Sequence, residues 1–485
     1  MKHAFKLAAG ATVAMLAAMP AWANIADAAT AVAEAAPAAV AAAATVVPDD
    51  TMVSKGDVAW MLVSAALVLM MSVPGLALFY GGLVRTKNML SVMMQVFSIV
   101  CIAGLMWCTI GYSMAFTNGG DLNSYVGGFS KLFLKGVDAN TFAATFSNGV
   151  YLPETVFVVF QMTFAMITPA LIVGAFAERV KFTPLMIFVV LWSILVYYPM
   201  AHMVWYWPGP DFTAGLAGDN GLLWGWGALD FAGGTVVHIN AGIAGLVGCI
   251  VIGKRTGYKA EPMPPHSMTM TMIGAALLWV GWFGFNAGSN LEANKYAALA
   301  FINTMTATAA AGAVWAIIEQ VVHKKPSLLG LVSGVVAGLV AITPAAGFAH
   351  PMTAIVLGGV ASVVCFFFVT TVKSIFKYDD TLDVFGIHCV GGIIGAIGTA
   401  IVANPEFGGQ GWMDFTVIPA VAGTYDMTAQ LITQSKAVGV TLLLSGGVSL
   451  VLFLLIKMIF GLRPSVEVEQ EGLDINAHGE RAYNY

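Results

Sequence analysis

Two stretches of this 485-residue chain read almost alike: residues 238–248 are HINAGIAGLVG and residues 388–398 are HCVGGIIGAIG. Both follow the pattern H-x3-G-I-x-G-x2-G, and both lie in long apolar segments. The remaining histidines show no such pattern. The repeat predicts two related halves, each of which places one histidine, His238 or His388, inside a hydrophobic environment.

The composition makes lipid the solvent for much of the chain. Hydrophobic residues make up 59% and charged residues 10%, whereas soluble globular proteins have about 45–50% and about 25%. A membrane-spanning helix needs about 20 predominantly apolar residues. Eleven segments qualify, at residues 58–81, 90–115, 155–176, 183–204, 232–252, 269–287, 297–318, 328–347, 353–371, 384–403 and 437–460. The sequence therefore predicts an all-α polytopic membrane protein with eleven transmembrane helices.

The N-terminus has the features of an export signal. Lys2 and Lys6 precede a short apolar core and the A-x-A sequence Ala21-Trp22-Ala23, an arrangement typical of a cleaved signal peptide. A first transmembrane helix is the alternative. The predicted domains are a signal peptide at 1–23, an Ala-rich periplasmic segment at 24–54, the eleven-helix membrane domain at 55–460 and a cytoplasmic tail at 461–485.

Positive charges test this orientation independently. An exported N-terminus and an odd number of spans put the C-terminus in the cytoplasm. Lys and Arg then number fourteen on the predicted cytoplasmic side and five on the other. Because cytoplasmic loops carry an excess of Lys and Arg, this asymmetry supports a multi-pass inner-membrane protein with a periplasmic N-terminus.

The repeat also predicts where the two histidines meet. If spans one to five correspond to spans six to ten, each half has an odd number of spans and the halves are inverted pseudo-twofold repeats. Each histidine then lies about 10 Å into its helix at about 1.5 Å per residue, from opposite faces of a core about 30 Å thick. The alternative is that each is an ordinary buried histidine. No predicted span carries Asp, Glu, Lys or Arg in its interior, which favours a small, neutral, hydrogen-bonding permeant at mid-membrane.

The cysteines do not indicate a metal site. All five lie in apolar segments and none has C-x-x-C spacing, so a zinc site or a disulfide framework is not predicted and packing is their expected role. No nucleophile–base pair is evident either. We expect neither an enzyme nor a cofactor, and no nucleic-acid partner.

Five motifs resemble the Amt/MEP/Rh ammonium transporter family, on its bacterial, AmtB-like side. They are GLALFYGGL at 75–83, AHMVW at 201–205, DFAGGTVVHIN at 230–240, GWFGFNAGS at 281–289 and DVFGIH at 383–388. They occur in the family's order, and the resemblance runs from about residue 55 to the C-terminus. It implies a homotrimer with one pore per subunit, transport of ammonium or ammonia across the bacterial inner membrane, and His238 and His388 as pore and proton-relay residues.

The resemblance also assigns residues above the histidines. Trp205, Phe164 and Ser289 match the family's site for ammonium recruitment. Phe164 and Phe285 match the paired phenyl rings of the gate. An aromatic face and a hydroxyl suit a small cation, although an interfacial aromatic belt is the alternative explanation for Trp205.

Three further residues match supporting positions. Trp282 matches a pore-lining residue beside the histidines, and Tyr198 matches a position near the vestibule. Asp230 precedes a helix and reads as an N-cap; the resemblance implies that it supports the recruitment site. Asp383 is its expected counterpart before span ten.

The tail at 461–485 resembles the family's regulatory tail, which implies a PII-type signalling protein as a partner at the cytoplasmic face. From composition alone it would be a disordered acidic tail. Two other functions stay open: an Rh-like channel for ammonia or carbon dioxide, and an ammonium sensor whose pore is vestigial. The long loop at 116–154 has no predicted role.

Overall fold

The computed structural model describes residues 47–211, 218–415 and 419–483. Within them, eleven helices are long and apolar enough to cross a membrane, as predicted. They are α1 (Lys55–Leu83), α2 (Thr86–Phe116), α3 (Glu154–Phe176), α4 (Phe182–Trp205), α5 (Gly234–Ile252), α6 (Met268–Gly288), α7 (Lys295–His323), α8 (Leu328–Ala345), α9 (Pro351–Phe376), α10 (Phe385–Val402) and α11 (Met427–Ile459). The predicted signal peptide 1–23 and the Ala-rich residues 24–46 lie outside the described residues.

Five of these helices, α1, α2, α7, α9 and α11, exceed the predicted apolar segments by several residues, whereas α5, α8 and α10 are slightly shorter. α9 continues to Phe376, so Lys373 belongs to a helix that was expected to end at residue 371. Polar side chains cap several helix starts. The side-chain oxygen Oδ1 of Asn294 accepts from the backbone N–H of Tyr296 at 2.9 Å, and Ser327 Oγ accepts from the backbone N–H of Gly330. Such caps satisfy N–H groups that have no partner within the helix.

Four short strands lie in the loops of the described residues. β1 (Phe142–Ala144) and β2 (Tyr151–Pro153) pair antiparallel, with Ala143 opposite Leu152. β3 (Met413–Asp414) and β4 (Val421–Ala422) form a second antiparallel pair. The first pair belongs to the loop at 116–154, which leads directly into α3.

The tail packs against the bundle instead of standing free of it. Its short helix α12 (Val466–Glu471) is followed by Asp474, whose carboxylate accepts from the backbone N–H groups of Leu90 at 3.0 Å and Ser91 at 2.8 Å. Glu469 accepts from Thr256 N at 2.7 Å. The end of the bundle that carries these contacts is called the tail end below, and the opposite end, where α4 stops at Trp205, the Trp205 end.

Buried charges are concentrated in the loops of the tail end. Arg255 lies 3.2 Å from the Glu178 carboxylate and 2.8 Å from that of Asp379, and Arg85 lies 2.9 Å from Glu178. Burial alone would raise the pKa of Asp379, but its hydrogen bonds to Arg255 and the charge of Arg179 outweigh it and hold that pKa below its usual range. The network therefore stays ionised near neutral pH and ties four loops together.

Glycine lets the helices approach closely. A Cβ atom added at Gly358 in α9 would lie 2.2 Å from the carbonyl oxygen of Ala307 in α7, whereas one at Gly359 would meet only Val314 Cγ2, at 3.6 Å. Three of the five cysteines, at 249, 365 and 389, are buried as packing residues, but Cys101 is exposed on the bundle surface.

We expect Gly358→Ala to destabilise the detergent-purified protein by about 1–3 kcal/mol, because backbone blocks the added methyl group. Gly359→Ala, one residue away on the same helix, is the matched control and should change little. Thermal unfolding followed by intrinsic fluorescence measures both. Equal midpoints for the two variants would contradict this account of the α7–α9 contact.

Candidate functional site

The histidine repeat forms a crossing between α5 and α10. A Cβ atom on Gly242 would lie 2.4 Å from Cys389 N, and one on Gly392 would lie 2.9 Å from Ile239 Cγ1 and 3.2 Å from His238 Cβ. Gly242 therefore leaves room for the turn of α10 that follows His388, and Gly392 leaves room for the turn of α5 that carries His238. The H-x3-G spacing is explained by this reciprocal contact.

The two helices run in opposite directions. α5 ends at the tail end, where the carbonyl oxygen of Gly253 accepts from Arg179 Nε at 2.6 Å. α10 begins at that same end, shortly after Asp379, whose carboxylate binds Arg255. The equivalent segments of the two halves are therefore inverted, as the odd number of spans predicts.

The imidazoles of His238 and His388 meet inside the bundle. Their Nδ1 atoms are 3.2 Å apart and their ring centroids 5.3 Å apart, so one ring donates and the other accepts. Both side chains are buried. His238 Nε2 has no hydrogen-bond partner among the described residues, and this leaves one imidazole nitrogen available to a permeant.

The space beside the histidines is narrow and apolar. It measures about 10 Å³, roughly one water-sized sphere. Apart from the histidines its wall consists of Met71, Leu76, Phe79, Ile167, Leu171, Val237, Leu278, Trp282, Phe285 and Val336. Trp282 lies 5.4 Å from His238 between ring centroids, and its N–H is used by Thr343 Oγ1 at 2.8 Å. The predicted pore-lining tryptophan is therefore beside the histidines, with its polar atom already bonded.

Two phenyl rings separate this space from a larger cavity at the Trp205 end. The ring centroids of Phe164 and Phe285 are 4.4 Å apart, and both side chains are buried. Phe285 also lies 5.9 Å from His238 between ring centroids. The rings assigned to a gate are therefore in contact and stand directly above the histidine pair.

The larger cavity, called the Trp205 cavity, has a volume of about 190 Å³ and is lined by Phe164, Trp205 and Ser289. Trp205 makes an edge contact with Phe164 at 5.7 Å between ring centroids. Ser289 Oγ donates to the carbonyl oxygen of Phe285 at 2.8 Å, which leaves the oxygen lone pairs free to accept. The structure thus brings together the three residues assigned to recruitment.

Asp230 caps α5 from inside the protein. Its carboxylate accepts from the backbone N–H groups of Gly233 (2.9 Å), Gly234 (2.5 Å) and Thr235 (2.8 Å). Its backbone carbonyl accepts from Trp205 Nε1 at 3.1 Å. The residue therefore fixes the start of the histidine helix and the orientation of the indole, and the carboxylate is fully engaged with backbone.

The expected counterpart in the second half, Asp383, is not the cap of α10. Asp383 pairs instead with Lys373 at 2.6 Å. The cap is Asp380, whose carboxylate accepts from Val384 N at 3.1 Å and Phe385 N at 2.8 Å. Asp380 precedes His388 by eight residues, as Asp230 precedes His238, so the D-x7-H spacing was the signal in the sequence.

Tyr198 does not line the Trp205 cavity, whereas several residues that the sequence did not single out do. Tyr198 is fully buried and packs 5.9 Å from Trp107 between ring centroids; it stands behind the Trp205 cavity and does not line it. Three side chains that the sequence did not single out do line the cavity, namely Tyr112, Lys131 and Glu154. No spacing signal links them, because Lys131 comes from the loop before α3.

Comparison with known proteins gives this arrangement its context. The family model described as Ammonium Transporter Family matches residues 59–483. The chain belongs to this family. It is 45% identical over 429 residues to the ammonium transporter of Aquifex aeolicus, covering 88% of this chain and 93% of that one. It is 44% identical to the ammonium transporter of Bacillus subtilis, covering 88% and 98%.

Solved structures agree with the fold. Saccharomyces cerevisiae Mep2 superposes with a TM-score of 0.74 at 32% identity, covering 86% of this chain and 89% of that one. A protein described as a sensor Amt protein superposes with a TM-score of 0.76 at 26% identity, covering 87% and 98%. The protein is thus a multi-pass membrane protein of an ammonium transporter family, whose members are transporters and channels rather than enzymes.

The aspartate that caps α10 predicts a pH effect on stability. Burial raises the pKa of Asp380 to about 7, against the nearby Lys373 ammonium, which lowers it. A carboxyl group whose pKa is higher in the folded state than its unfolded value of about 3.9 binds a proton preferentially in the folded state. Its stabilising contribution is therefore complete below the unfolded pKa and is lost as the pH rises through about 7.

We accordingly expect the thermal midpoint of Asp380→Asn to fall less than that of the parent between pH 5.5 and pH 8. Asp121→Asn, which alters an exposed aspartate, is the control and should follow the parent. If the thermal midpoints of the parent and of Asp380→Asn changed equally with pH, the result would contradict a raised pKa at Asp380.

Proposed function

We propose that this ammonium transporter binds ammonium in the Trp205 cavity, removes its proton at the phenyl rings and conducts ammonia past His238 and His388. The family match supports ammonium as the substrate. The observation that carries the mechanism is the vertical order of three sites: an aromatic cavity, a closed pair of phenyl rings and a histidine pair in an apolar space.

Recruitment rests on the chemistry of the cavity wall. The indole of Trp205 and the ring of Phe164 present aromatic surface to a cation, and cation–π attraction is worth about 0.5–2 kcal/mol depending on desolvation. Ser289 Oγ adds a hydrogen-bond acceptor. Asp230 acts through Trp205 and does not bind the cation, because backbone N–H groups occupy its carboxylate.

Deprotonation follows from the lack of charge below the rings. An ammonium ion in the space of about 10 Å³ would lose its hydration and find no carboxylate on the wall, which is costly. Ammonium therefore splits into ammonia, which continues, and a proton. The proton either returns to the Trp205 cavity or passes along the hydrogen-bonded histidine pair, in which case transport carries charge.

The cellular arrangement is part of the proposal. The excess of Lys and Arg on the tail side supports a cytoplasmic tail, a periplasmic Trp205 cavity and an inner-membrane location. The family resemblance supports a homotrimer, a signal peptide at 1–23 and a PII-type partner at the tail end. The docked tail, with Asp474 bonded to the backbone of α2 and Glu469 to that of the loop after α5, offers such a partner an ordered surface.

Two other functions make different predictions. A gas channel needs no cation site, so uptake would follow free ammonia alone and would not change with external ammonium at fixed ammonia. A sensor is suggested by the name of one structural neighbour. A protein that only senses would show no flux in liposomes.

The histidine pair is tested by replacing both residues with alanine. We expect the ammonium-evoked current of purified protein in a supported membrane to fall at least about tenfold, since two hydrogen-bonding groups leave an apolar space. Methylammonium uptake reports flux in parallel. His323→Ala, at an exposed helix end, is the control. Undiminished current and uptake in the double variant would refute a role for the pair.

The recruitment site is tested by Trp205→Leu. Loss of the indole should raise the half-saturating ammonium concentration by about twofold to thirtyfold, which corresponds to about 0.5–2 kcal/mol. Trp60→Leu, remote from the cavity wall, controls for the loss of a tryptophan. An unchanged half-saturating concentration in Trp205→Leu, with normal folding, would argue against recruitment by this side chain.

A further inference from the structure

We propose that Glu154 and Tyr112 form a second cation site in the wall of the Trp205 cavity, and that Lys131 occupies this site as a tethered primary ammonium. By holding the site, Lys131 sets the affinity of the cavity for ammonium and keeps other small cations from binding there. The inference rests on the proposed function, because it assumes that ammonium enters through this cavity.

The site is a carboxylate flanked by a phenol. The Tyr112 hydroxyl donates to Glu154 Oε1 at 2.5 Å, and Lys131 Nζ donates to the same oxygen. Nζ also lies 5.8 Å from the centroid of the Tyr112 ring. All three residues line the Trp205 cavity together with Phe164 and others, so the pair is on the path of an entering cation.

The two charged partners differ in their access to solvent. The side chain of Glu154 is 3% exposed and that of Lys131 is 32% exposed. Glu154 is the first residue of α3, and α3 also carries Phe164, so the carboxylate is fixed to the same helix as the gate. A carboxylate buried to this extent is costly to leave without a partner, and the lysine supplies that partner.

The lysine is placed by its backbone and is not a freely moving surface side chain. Lys131 N donates to Ser113 Oγ at 3.0 Å, and Ser113 Oγ donates to the carbonyl oxygen of Gly128 at 2.9 Å. The loop is therefore fastened to the last turn of α2 at Gly128 and at the lysine itself. This anchoring holds Nζ within reach of Glu154.

The chemistry of the site matches the substrate. The head of lysine is R–NH₃⁺, as in methylammonium, and a carboxylate oxygen beside an aromatic face is a general environment for such a group. The Glu154 carboxylate and the Tyr112 ring, which bind Nζ, would also bind ammonium. While Lys131 is present, the pair is neutral and cation binding in the cavity depends on Trp205 and Ser289. Without it, the carboxylate becomes available to any small cation.

Lys131→Met tests the proposal, with Lys135→Met as the matched control because it removes the same charge from an exposed position in the same loop. We expect Lys131→Met to lower the half-saturating ammonium concentration of the evoked current about twofold to fivefold, the range of a partly exposed charge pair. Potassium should inhibit the current of this variant, and leave that of the parent and of Lys135→Met unchanged.

Glu154→Gln provides a second variant of nearly equal shape. It keeps the lysine and removes its partner, so the unpaired positive charge should raise the half-saturating concentration. The double variant K131M/E154Q should lose the potassium inhibition. Thermal unfolding confirms that each variant is folded.

The outcomes separate this inference from the proposed function. A parent protein that gives no ammonium-evoked current overturns the proposed function. A conducting parent with Lys131→Met indistinguishable from Lys135→Met, in affinity and in response to potassium, overturns the second site. Shifts of the same sign in Lys131→Met and Glu154→Gln would also overturn it, because the two changes leave opposite charges.

Discussion

The close contact between α5 and α10 is the constraint on which the rest of the proposed conduction path depends. At Gly242 a side chain would collide with backbone of α10, with 2.4 Å from its Cβ to Cys389 N. Only glycine on both helices lets the backbones come together. The contact brings the Nδ1 atoms of the two histidines to 3.2 Å. Any separation of the helices would break that hydrogen bond and widen the apolar space beside it.

The two aspartates make this contact possible in a membrane. A helix that starts inside the protein leaves N–H groups that water cannot reach, and Asp230 and Asp380 accept from them. The halves then diverge in what surrounds each cap. Asp230 holds Trp205 beside an aromatic cavity, whereas Asp380 lies near Lys373 and the ionised network around Asp379. An inverted repeat thus supplies the symmetric centre, and local sequence makes its two ends different.

Periodicity and spacing predicted much of this arrangement. The eleven spans, the inverted halves and the meeting of His238 with His388 all follow from apolar length and one repeated pattern, because lipid permits few other solutions. The expectation that Asp383 is the counterpart of Asp230 was wrong. Asp380 caps α10, and it lies at the same distance from its histidine as Asp230 does. Register within the repeat was the better guide.

Contacts between distant loops could not be predicted in this way. Lys131 reaches Glu154 only because Ser113 fastens its loop, and the tail reaches Leu90 and Ser91 through a carboxylate at Asp474. Neither pairing leaves a spacing signal, since the partners come from separate elements whose approach is set by packing. Composition alone made the tail a solvated acidic segment. In the structure, Glu469 and Asp474 instead accept hydrogen bonds from backbone N–H groups.

In the proposed mechanism, selectivity for ammonium follows from the positions of the charged side chains. The charged side chains stand at the two ends: the Glu154–Lys131 pair beside the Trp205 cavity, and the arginine network at the tail end. Between them the wall offers two imidazoles and a tryptophan whose N–H is already bonded. A hydrated potassium ion is too large for a space of about one water-sized sphere, and a bare one finds no anionic ligand there. In the proposed mechanism ammonium can leave its charge behind as a proton and potassium cannot, so the apolar centre would exclude potassium by chemistry as well as by size.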